Sequence, residues 1–435
     1  MKILLVILDG LADRPIKELN FSTPLHSAKT PNLDKLATIG ANGLMYPISP
    51  GIAPSTDLAH FVLLGYSPKE YPGRAAVEAL GEERPMRDEQ VVLRTSFISV
   101  EEKEGVFYIR GRDVPVTEEE LDSLTEVVES TEIEGIRINF LHSGKRQGFL
   151  FMEGADSFIC DSDPFDLNVP VVAVQSLKEA VDKEKAARTA DALNDFLLQT
   201  HNRLEDHPAN HARRKRGLLP LNFLVSKWAS RPARLSTLDS FSEKYALKGA
   251  ATTAGVLLKG LSKAIGLDFF PVEEVDGPGG SLEKRCSKAL ELFGAGYDFV
   301  LAHSKAADEA AHTKNPAAKR QVIEELDWAL APLLEEQFLD GNLLIVTADH
   351  STPSVGTLIH SGEPVPLLFA GSSIRADDVE RFDEFSCQKG SLGFIRGRDL
   401  MPLILNYTDR SKYLGSRSFA TDYPARPHHR KGRPA

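Results

Sequence analysis

Leu343-Leu344-Ile345-Val346-Thr347-Ala348-Asp349-His350 is the stretch that decides the fold. Its short apolar run shows no polar alternation and reads as a strand buried on both faces, as in parallel sheets. It ends on an acid and a histidine, and a loop rich in Ser, Thr, Pro and Gly leads on to His360. In parallel sheets, ligands gather just beyond the carboxyl ends of the strands. Asp349 and His350 offer an oxygen and a nitrogen donor there, a mixture that suits zinc or manganese better than calcium or magnesium. Taken alone, a strand cap followed by a loop histidine is the plainer reading, so the other strand ends must decide.

Working outward, two more apolar runs end in the same way. Lys2 to Leu8 is nearly all apolar and reaches Asp9-Gly10. Tyr297 to His303 runs on into a segment in which Asp308 and His312 stand four apart. On a helix that spacing stacks both side chains on one face, within reach of one ion. Ser49 to Pro54 reads as a loop, and Ser55-Thr56-Asp57-Leu58-Ala59-His60-Phe61 as the first turns of a helix. A hydroxyl there is either an N-cap or a nucleophile beside an anion site at the positive end of the helix dipole. Three strands ending at or near Asp9, His303/Asp308 and Asp349-His350, with a hydroxyl-bearing helix start and His360, form a constellation that chance does not readily assemble. The chemistry it implies is two metal ions bridging a phosphoryl group, with a hydroxyl nucleophile.

The bulk composition is consistent with this. The chain has 435 residues, 42% hydrophobic and 26% charged, an ordinary globular balance with room for two or three domains. A net charge of −11 argues against general attraction to nucleic acid or an anionic membrane. The basic end, Arg426, His428, His429, Arg430, Lys431 and Arg433, reads as a disordered tail. Cys160, Cys286 and Cys387 form no CxxC pair, which removes zinc-ribbon and redox-motif readings and suits a reducing cytoplasm. No run of about 18 apolar residues suggests a membrane span, and the apolar start lacks a cleavage site.

From about residue 86 the texture changes. Val91–Val100 and Val106–Ile109 read as antiparallel strands around a charged turn, and Gly148–Met152 as a further strand. Thr117–Val128 reads as a helix capped by Thr117, and Lys178–Leu198 as another helix. Arg213 to Arg216 is a charge run expected to be a solvated face. Near the start of the chain, Thr30-Pro31 predicts an N-cap and first helical residue. Leu257–Ile265, ended by Gly266, and Ser281–Leu292 are expected helices of the resumed strand–helix alternation.

At this point the sequence resembles the archaeal-type cofactor-independent (2,3-bisphosphoglycerate-independent) phosphoglycerate mutases of the alkaline phosphatase superfamily. The resemblance covers residues 1 to about 410. It rests on Leu8-Asp9-Gly10-Leu11-Ala12-Asp13-Arg14-Pro15, Lys29-Thr30-Pro31-Asn32-Leu33-Asp34, Ile48-Ser49-Pro50-Gly51-Ile52, Leu63-Leu64-Gly65-Tyr66, Asp161-Ser162-Asp163-Pro164, Asp308-Glu309-Ala310-Ala311-His312, Asp349-His350-Ser351-Thr352-Pro353 and His360-Ser361-Gly362. It implies one metal site at Asp308, His312 and His360, and a second at Asp9, Asp349, His350 and the nucleophile oxygen. The nucleophile position aligns with Thr56, where the family has serine. Ala53, Ala75, Ala76, Ser96 and Lys227-Trp228-Ala229-Ser230 depart from the family pattern around the substrate. Arg74, Arg94, Lys145, Arg146 and Lys305 remain as candidate anion-binding groups, with Arg74 and Arg94 serving the catalytic step as well.

The expected fold is α/β, a mainly parallel doubly wound sheet. Residues 1–85 and 235–410 would form the metal-binding core, 86–234 an α+β insert acting as a lid, and 411–435 the tail. The resemblance implies a metal-dependent phosphomutase working through a phosphothreonine. Its cofactors would be two divalent ions, manganese or zinc, with magnesium or cobalt as further candidates, and no organic cofactor. The partner would be a small phosphorylated acid resembling phosphoglycerate, with no nucleic acid or membrane; the oligomeric state is left open. The alternatives are a phosphatase or phosphodiesterase with water as acceptor and, in another class, a non-catalytic binder of a phosphorylated metabolite. A complete ligand set speaks against the latter.

Overall fold

In the computed structural model, residues 1–273 and 277–411 are described; the basic tail beyond Ser411 lies outside them. In chain order the strands are β1 (Lys2–Leu8), β2 (Ala41–Tyr46), β3 (Val91–Lys103), β4 (Val106–Gly111), β5 (Thr131–Ile133), β6 (Ile136–His142) and β7 (Gln147–Glu153). They continue with β8 (Phe223–Ser230), β9 (Gly249–Thr253), β10 (Asp268–Pro271), β11 (Phe299–Ser304), β12 (Asn342–Thr347), β13 (Val365–Ala370) and β14 (Gly393–Arg396). The chain divides into two compact units, Met1–Tyr71 with the segment from Asp239 onward, and Pro72–Leu238.

The first unit is built on an eight-stranded sheet in the order β10-β9-β11-β1-β12-β13-β2-β14. Every strand runs the same way except β13, which is antiparallel to both its neighbours. β1, β11 and β12 are almost wholly buried, which explains their unbroken apolar runs. β1 lies between the other two. Its Ile7 pairs with His303 of β11 and with Thr347 of β12. That register brings the three strand ends to one level of one sheet edge. Asp9 follows Ile7 by two residues, and Asp349 follows Thr347 by two.

The second unit carries a six-stranded antiparallel sheet, β4-β3-β7-β6-β5, with β8 pairing along β3. Helix Lys183–Glu205 lays Ala190, Leu193, Phe196, Leu197 and Leu204 on its apolar core. Residues 72–85, expected with the metal-binding core, belong to this unit instead. Helix Arg74–Gly81 packs Ala75 and Ala79 against Val92 of β3 and Phe149 and Phe151 of β7, and Ala75 N–H donates to Ser230 Oγ of β8.

Several local expectations need correction. The helix predicted over 178–198 begins at Lys183, where Asp182 caps it by accepting from Lys185 N–H, and it extends to Glu205. The polar stretch that follows contains another helix, Pro208–Lys215. Arg213 is not a solvated charge: its side chain is 1% exposed, paired with Glu120 and donating to the carbonyls of Pro115 and Leu219. Thr30 occupies the N-cap position of helix Pro31–Thr38 but makes no side-chain cap. Asp327 replaces it, its carboxylate accepting from Asn32 N–H at 3.2 Å and Leu33 N–H at 2.7 Å. Thr117 does cap its helix, in a reciprocal box with Glu120.

Candidate metal centre

The edge formed by β11, β1 and β12 collects Asp9, Asp349 and His350, all 0% exposed. Helix Ala306–His312 follows β11 and presents Asp308 and His312 on one face, with Asp308 Oδ1 3.1 Å from His312 Nε2. His360 comes from the loop between β12 and β13 and lies 3.6 Å from the same oxygen. Two donor groups result, each with its atoms within 4.8 Å of one another: Asp308, His312 and His360, and Asp9, Asp308 and His350. Asp308 stands in both, so the two groups are neighbours. Asp349 adjoins the second through Oδ2, 3.2 Å from His350 Nε2.

Thr56 is the first residue of helix Thr56–Leu63, and its Oγ1 lies 3.2 Å from His350 Nε2. Ser55 holds the N-cap position without a side-chain cap. Close glycine contacts shape the pocket. A Cβ on Gly10 (φ +65°) would meet Thr352 Oγ1 at 2.6 Å, and one on Gly362 would meet the Gly51 carbonyl carbon at 2.2 Å. The second contact, with Gly51 N–H donating to Gly362 O, brings the His360 loop against the loop leading to Thr56.

The hydrogen-bond pattern fixes which imidazole nitrogens face the pocket. His360 Nδ1 is 2.7 Å from the Pro54 carbonyl, which can only accept, so Nδ1 carries a proton. Thr352 Oγ1 donates to Asp308 Oδ1 at 2.8 Å and therefore accepts from His350 Nδ1 at 3.0 Å. In the neutral rings both Nε2 atoms are then lone pairs that face carboxylate oxygens, that of His350 with the Thr56 hydroxyl beside it as a donor. Such groups repel one another unless a proton or a cation lies between them. Asp9 Oδ1 and Asp349 Oδ2 are also buried without a hydrogen-bond donor. These residues therefore fit a divalent cation, with the second ring nitrogen of each histidine oriented by a neighbour as metal ligands require.

Electrostatics agree. Burial drives Asp349 well above the usual carboxylate range, and the nearby charges of Asp9 and Asp308 push it further. Burial also raises Asp9 and Asp308, but the histidines beside them more than reverse this and hold both below their ordinary value. His350 is lowered, chiefly by burial. His360 is opposed by burial yet raised by its bond to Asp308. Three buried carboxylates thus crowd one end of the sheet.

Sequence reasoning left three neighbours out of the site. His60, four residues after Thr56 on the same helix face, donates from Nδ1 to Thr56 O at 2.8 Å and sits 3.6 Å from Asp349 Oδ2. Burial and the charge of His303 lower its pKa to about 3. His303, noted at its strand end but not among the ligands, lies 3.2 Å from Asp9 Oδ2. Thr352 bridges His350 and Asp308. The i,i+4 spacing from Thr56 was the available signal for His60.

Among the candidate anion-binding residues, the structure joins Arg74 and Arg94 through Glu78, at 2.9 and 3.1 Å. Arg94 also pairs with Glu82 at 3.0 Å and lies over the Phe149 ring. Arg146 bonds instead to Asp113 and the Val114 carbonyl, and Lys145 is exposed at φ +45°. Lys305 precedes the helix carrying Asp308 and stands 3.9 Å from Glu309.

Comparison with known proteins defines the class first. The family described as "Metalloenzyme superfamily" matches residues 1–407, and divalent metal binding comes with that class. The 2,3-bisphosphoglycerate-independent phosphoglycerate mutase 2 of Methanocaldococcus jannaschii is 43% identical over 428 residues, covering 96% of each chain. The enzyme so named from Pyrococcus horikoshii is 36% identical over 95% of this chain and 98% of its own. The solved cofactor-independent phosphoglycerate mutase from Thermoplasma acidophilum superposes with a TM-score of 0.62 at 32% identity, covering 93% of this chain and 99% of that one. A solved Pyrococcus horikoshii protein reaches a TM-score of 0.75 at 34% identity over 95% and 99%. The chain belongs to the family of 2,3-bisphosphoglycerate-independent phosphoglycerate mutases, as its motifs implied. Its class is accordingly that of a metal-dependent phosphomutase, an isomerase. No helix among the described residues is long and apolar enough to cross a membrane.

Proposed function

We propose that this chain interconverts phosphoglycerate isomers through a phosphothreonine at Thr56. The observation that carries the reading is Thr56 Oγ1 at 3.2 Å from His350 Nε2, beside two adjoining donor groups, of which Asp9, Asp308 and His350 are all buried. Asp308, His312 and His360 would hold one divalent ion, and Asp9, Asp349 and His350 with Thr56 Oγ1 the other. Manganese and zinc suit this oxygen–nitrogen mixture best. Bound there, the ions neutralise phosphoryl charge and favour the ionised hydroxyl.

In the first half-reaction the Thr56 Oγ1–P bond forms as the substrate O–P bond breaks, and the hydroxyl proton passes to the departing glycerate oxygen. The second half-reaction reverses this at another hydroxyl of the same glycerate, so no phosphate is released. The N-terminal N–H groups of helix Thr56–Leu63 would meet a phosphoryl group on Thr56 from the positive end of the dipole. His60 positions the backbone at Thr56 by donating to its carbonyl. The candidate cations for the substrate's anionic groups remain Arg74, Arg94, Lys145, Arg146 and Lys305.

The test supplies a phosphoglycerate with Mn2+ and measures isomerised product and free phosphate separately. Isomerised product is expected, with little phosphate. Thr56→Ala is expected to abolish turnover and Ser55→Ala to keep most of it. Phosphate release without isomerisation would replace the mutase reading with a hydrolase, and phosphoprotein mapped to Ser55 would overturn the assignment of Thr56.

A further inference from the structure

Lys319 is a lysine with no solvent-exposed surface, carried on helix Pro316–Trp328. An ammonium has three donors and no acceptor. Here all three are used: Nζ donates to Ala12 O at 2.9 Å, to Thr352 O at 2.8 Å and to Asp13 Oδ2 at 3.2 Å. Ala12 lies three residues after Asp9, and Thr352 two residues after His350. The two carbonyls thus belong to the two loops that carry the donors at the ends of β1 and β12. The helix itself follows closely on the one that carries Asp308 and His312.

The contact is reinforced on both sides. Thr352 N–H donates to Ala12 O at 3.0 Å, so that one carbonyl accepts from both Lys319 and the opposite loop. Asp13 Oδ2 also accepts from Ser354 N–H at 3.0 Å and Ser354 Oγ at 2.7 Å. Ser351 bridges to Leu11 and Ala12. An apolar side chain at 319 would take from Thr352 O the ammonium it accepts from and remove one of the donors to Ala12 O and to Asp13 Oδ2. The acceptors gathered here lie beside carboxylates that already repel one another.

We infer that Lys319, with Asp13, is a positioning pair: a buried clip that holds the Asp9 loop, the Asp349-His350-Thr352 loop and the helix after Asp308 in register before metal arrives. It touches none of the proposed metal ligands and acts on them through the backbone of Ala12 and Thr352. Because Thr352 Oγ1 sets the His350 tautomer and bonds Asp308, loss of the clip is felt by both donor groups. The inference rests on the metal reading proposed above.

The experiment titrates metal-free protein with Mn2+ by calorimetry, for the unaltered chain, Lys319→Met and Asp13→Asn, with circular dichroism to confirm folding. Two ions on the unaltered chain are expected. Lys319→Met should lower the affinity by about 10–100-fold, the usual effect of removing groups that orient metal ligands, with the stoichiometry recovered at high Mn2+. Asp13→Asn, which keeps the shape, should lower it in the same direction. No binding to the unaltered chain would defeat the metal reading and the clip with it. Two ions on the unaltered chain, with folded Lys319→Met within twofold of it, would defeat the clip alone. If neither variant folds, the pair belongs to the stability of the core, and the proposal is overturned.

Discussion

Asp349→Asn separates a metal ligand from a structural cap. Asp349 is fully buried, and burial with the charges of Asp9 and Asp308 raises its pKa well above the ordinary value. In the metal-free protein the folded state therefore holds a proton that the unfolded state releases as pH rises past the ordinary carboxylate range. The sign follows: metal-free stability falls as pH climbs from the unfolded value toward the raised folded one, and asparagine removes that slope. The neutral amide mimics the protonated acid. Its oxygen can keep the Gly10 N–H bond made at 3.3 Å by Oδ1, and its NH2 can face the Nε2 lone pair of His350, now 3.2 Å from Oδ2. Metal-free variant and wild type should thus agree within about 1 kcal/mol. With Mn2+ at 100 times the wild-type Kd, one filled site adds about 2.7 kcal/mol. If removing the charge weakens that site about 100-fold, the same metal concentration adds only ~0.4 kcal/mol, a loss of ~2.3 kcal/mol. Denaturant unfolding with and without Mn2+ reads both numbers. A metal-free loss above roughly 2 kcal/mol with an unchanged metal increment would refute the argument and make Asp349 a structural group.

Two further predictions concern the second unit. Arg94→Ala leaves Glu78 with Arg74 and the half-buried Glu82 with Arg84 as ion-pair partners, so stability should fall by about 1.5–3 kcal/mol in urea unfolding, the range for lost charged hydrogen bonds; in a mutase it should also raise phosphate release relative to isomerised product, and an unchanged product ratio would remove Arg94 from the substrate-binding set. Trp228→Gly relieves a left-handed backbone at φ +61°, worth ~1–2 kcal/mol. It also gives up the cation contacts with Arg74 at 4.2 Å and Lys227 at 4.7 Å, about 0.5–1 kcal/mol each. Trp228 also packs against the cluster of Ala75, Val92 and Phe149 and stacks on Phe165 at 6.0 Å, so the net change should be a loss of about 1–3 kcal/mol, and a gain would show that the backbone strain outweighs the packing.

The central strands were legible because burial on both faces confines their polar residues to the strand ends: β1, β11 and β12 show in the sequence as apolar runs that stop at or near a donor residue. Strands such as β2, Ala-Asn-Gly-Leu-Met-Tyr, and β9, Gly-Ala-Ala-Thr-Thr, were not, because their small and polar residues are satisfied only in the folded sheet. In β2, the side chain of Asn42 donates to Ala37 O and to Asp377, while its N–H also donates to Asp377. Helix caps failed for the same reason wherever the partner is distant: the carboxylate that caps the helix at Pro31 comes from Asp327, far along the chain. Thr117 and Glu120, three residues apart, form their box within one turn, so that one could be read.

The donor residues were legible because each lies at a strand end, on one helix face or in a motif that resembles a family. The groups that orient them were not. Thr352 reads as a loop threonine, yet its hydroxyl accepts from His350 Nδ1 and donates to Asp308 Oδ1, joining residues 42 positions apart in the chain (350 minus 308). Lys319 is one charge on helix Pro316–Trp328, and no periodicity marks it as the residue whose ammonium meets two strand-end loops. Spacing reports neighbours along one element, whereas orientation of a metal ligand depends on what meets its far side. The β1–β11–β12 register decides that meeting. A one-residue slip of β12 against β1 would turn its side chains to the opposite face and carry Asp349 and His350 away from Asp9. The unbroken burial of these strands does not by itself oppose such a slip, because both faces are apolar. Bonds beyond the strand ends, among them Thr352 N–H to Ala12 O and the Lys319 contacts, hold the register where the site needs it.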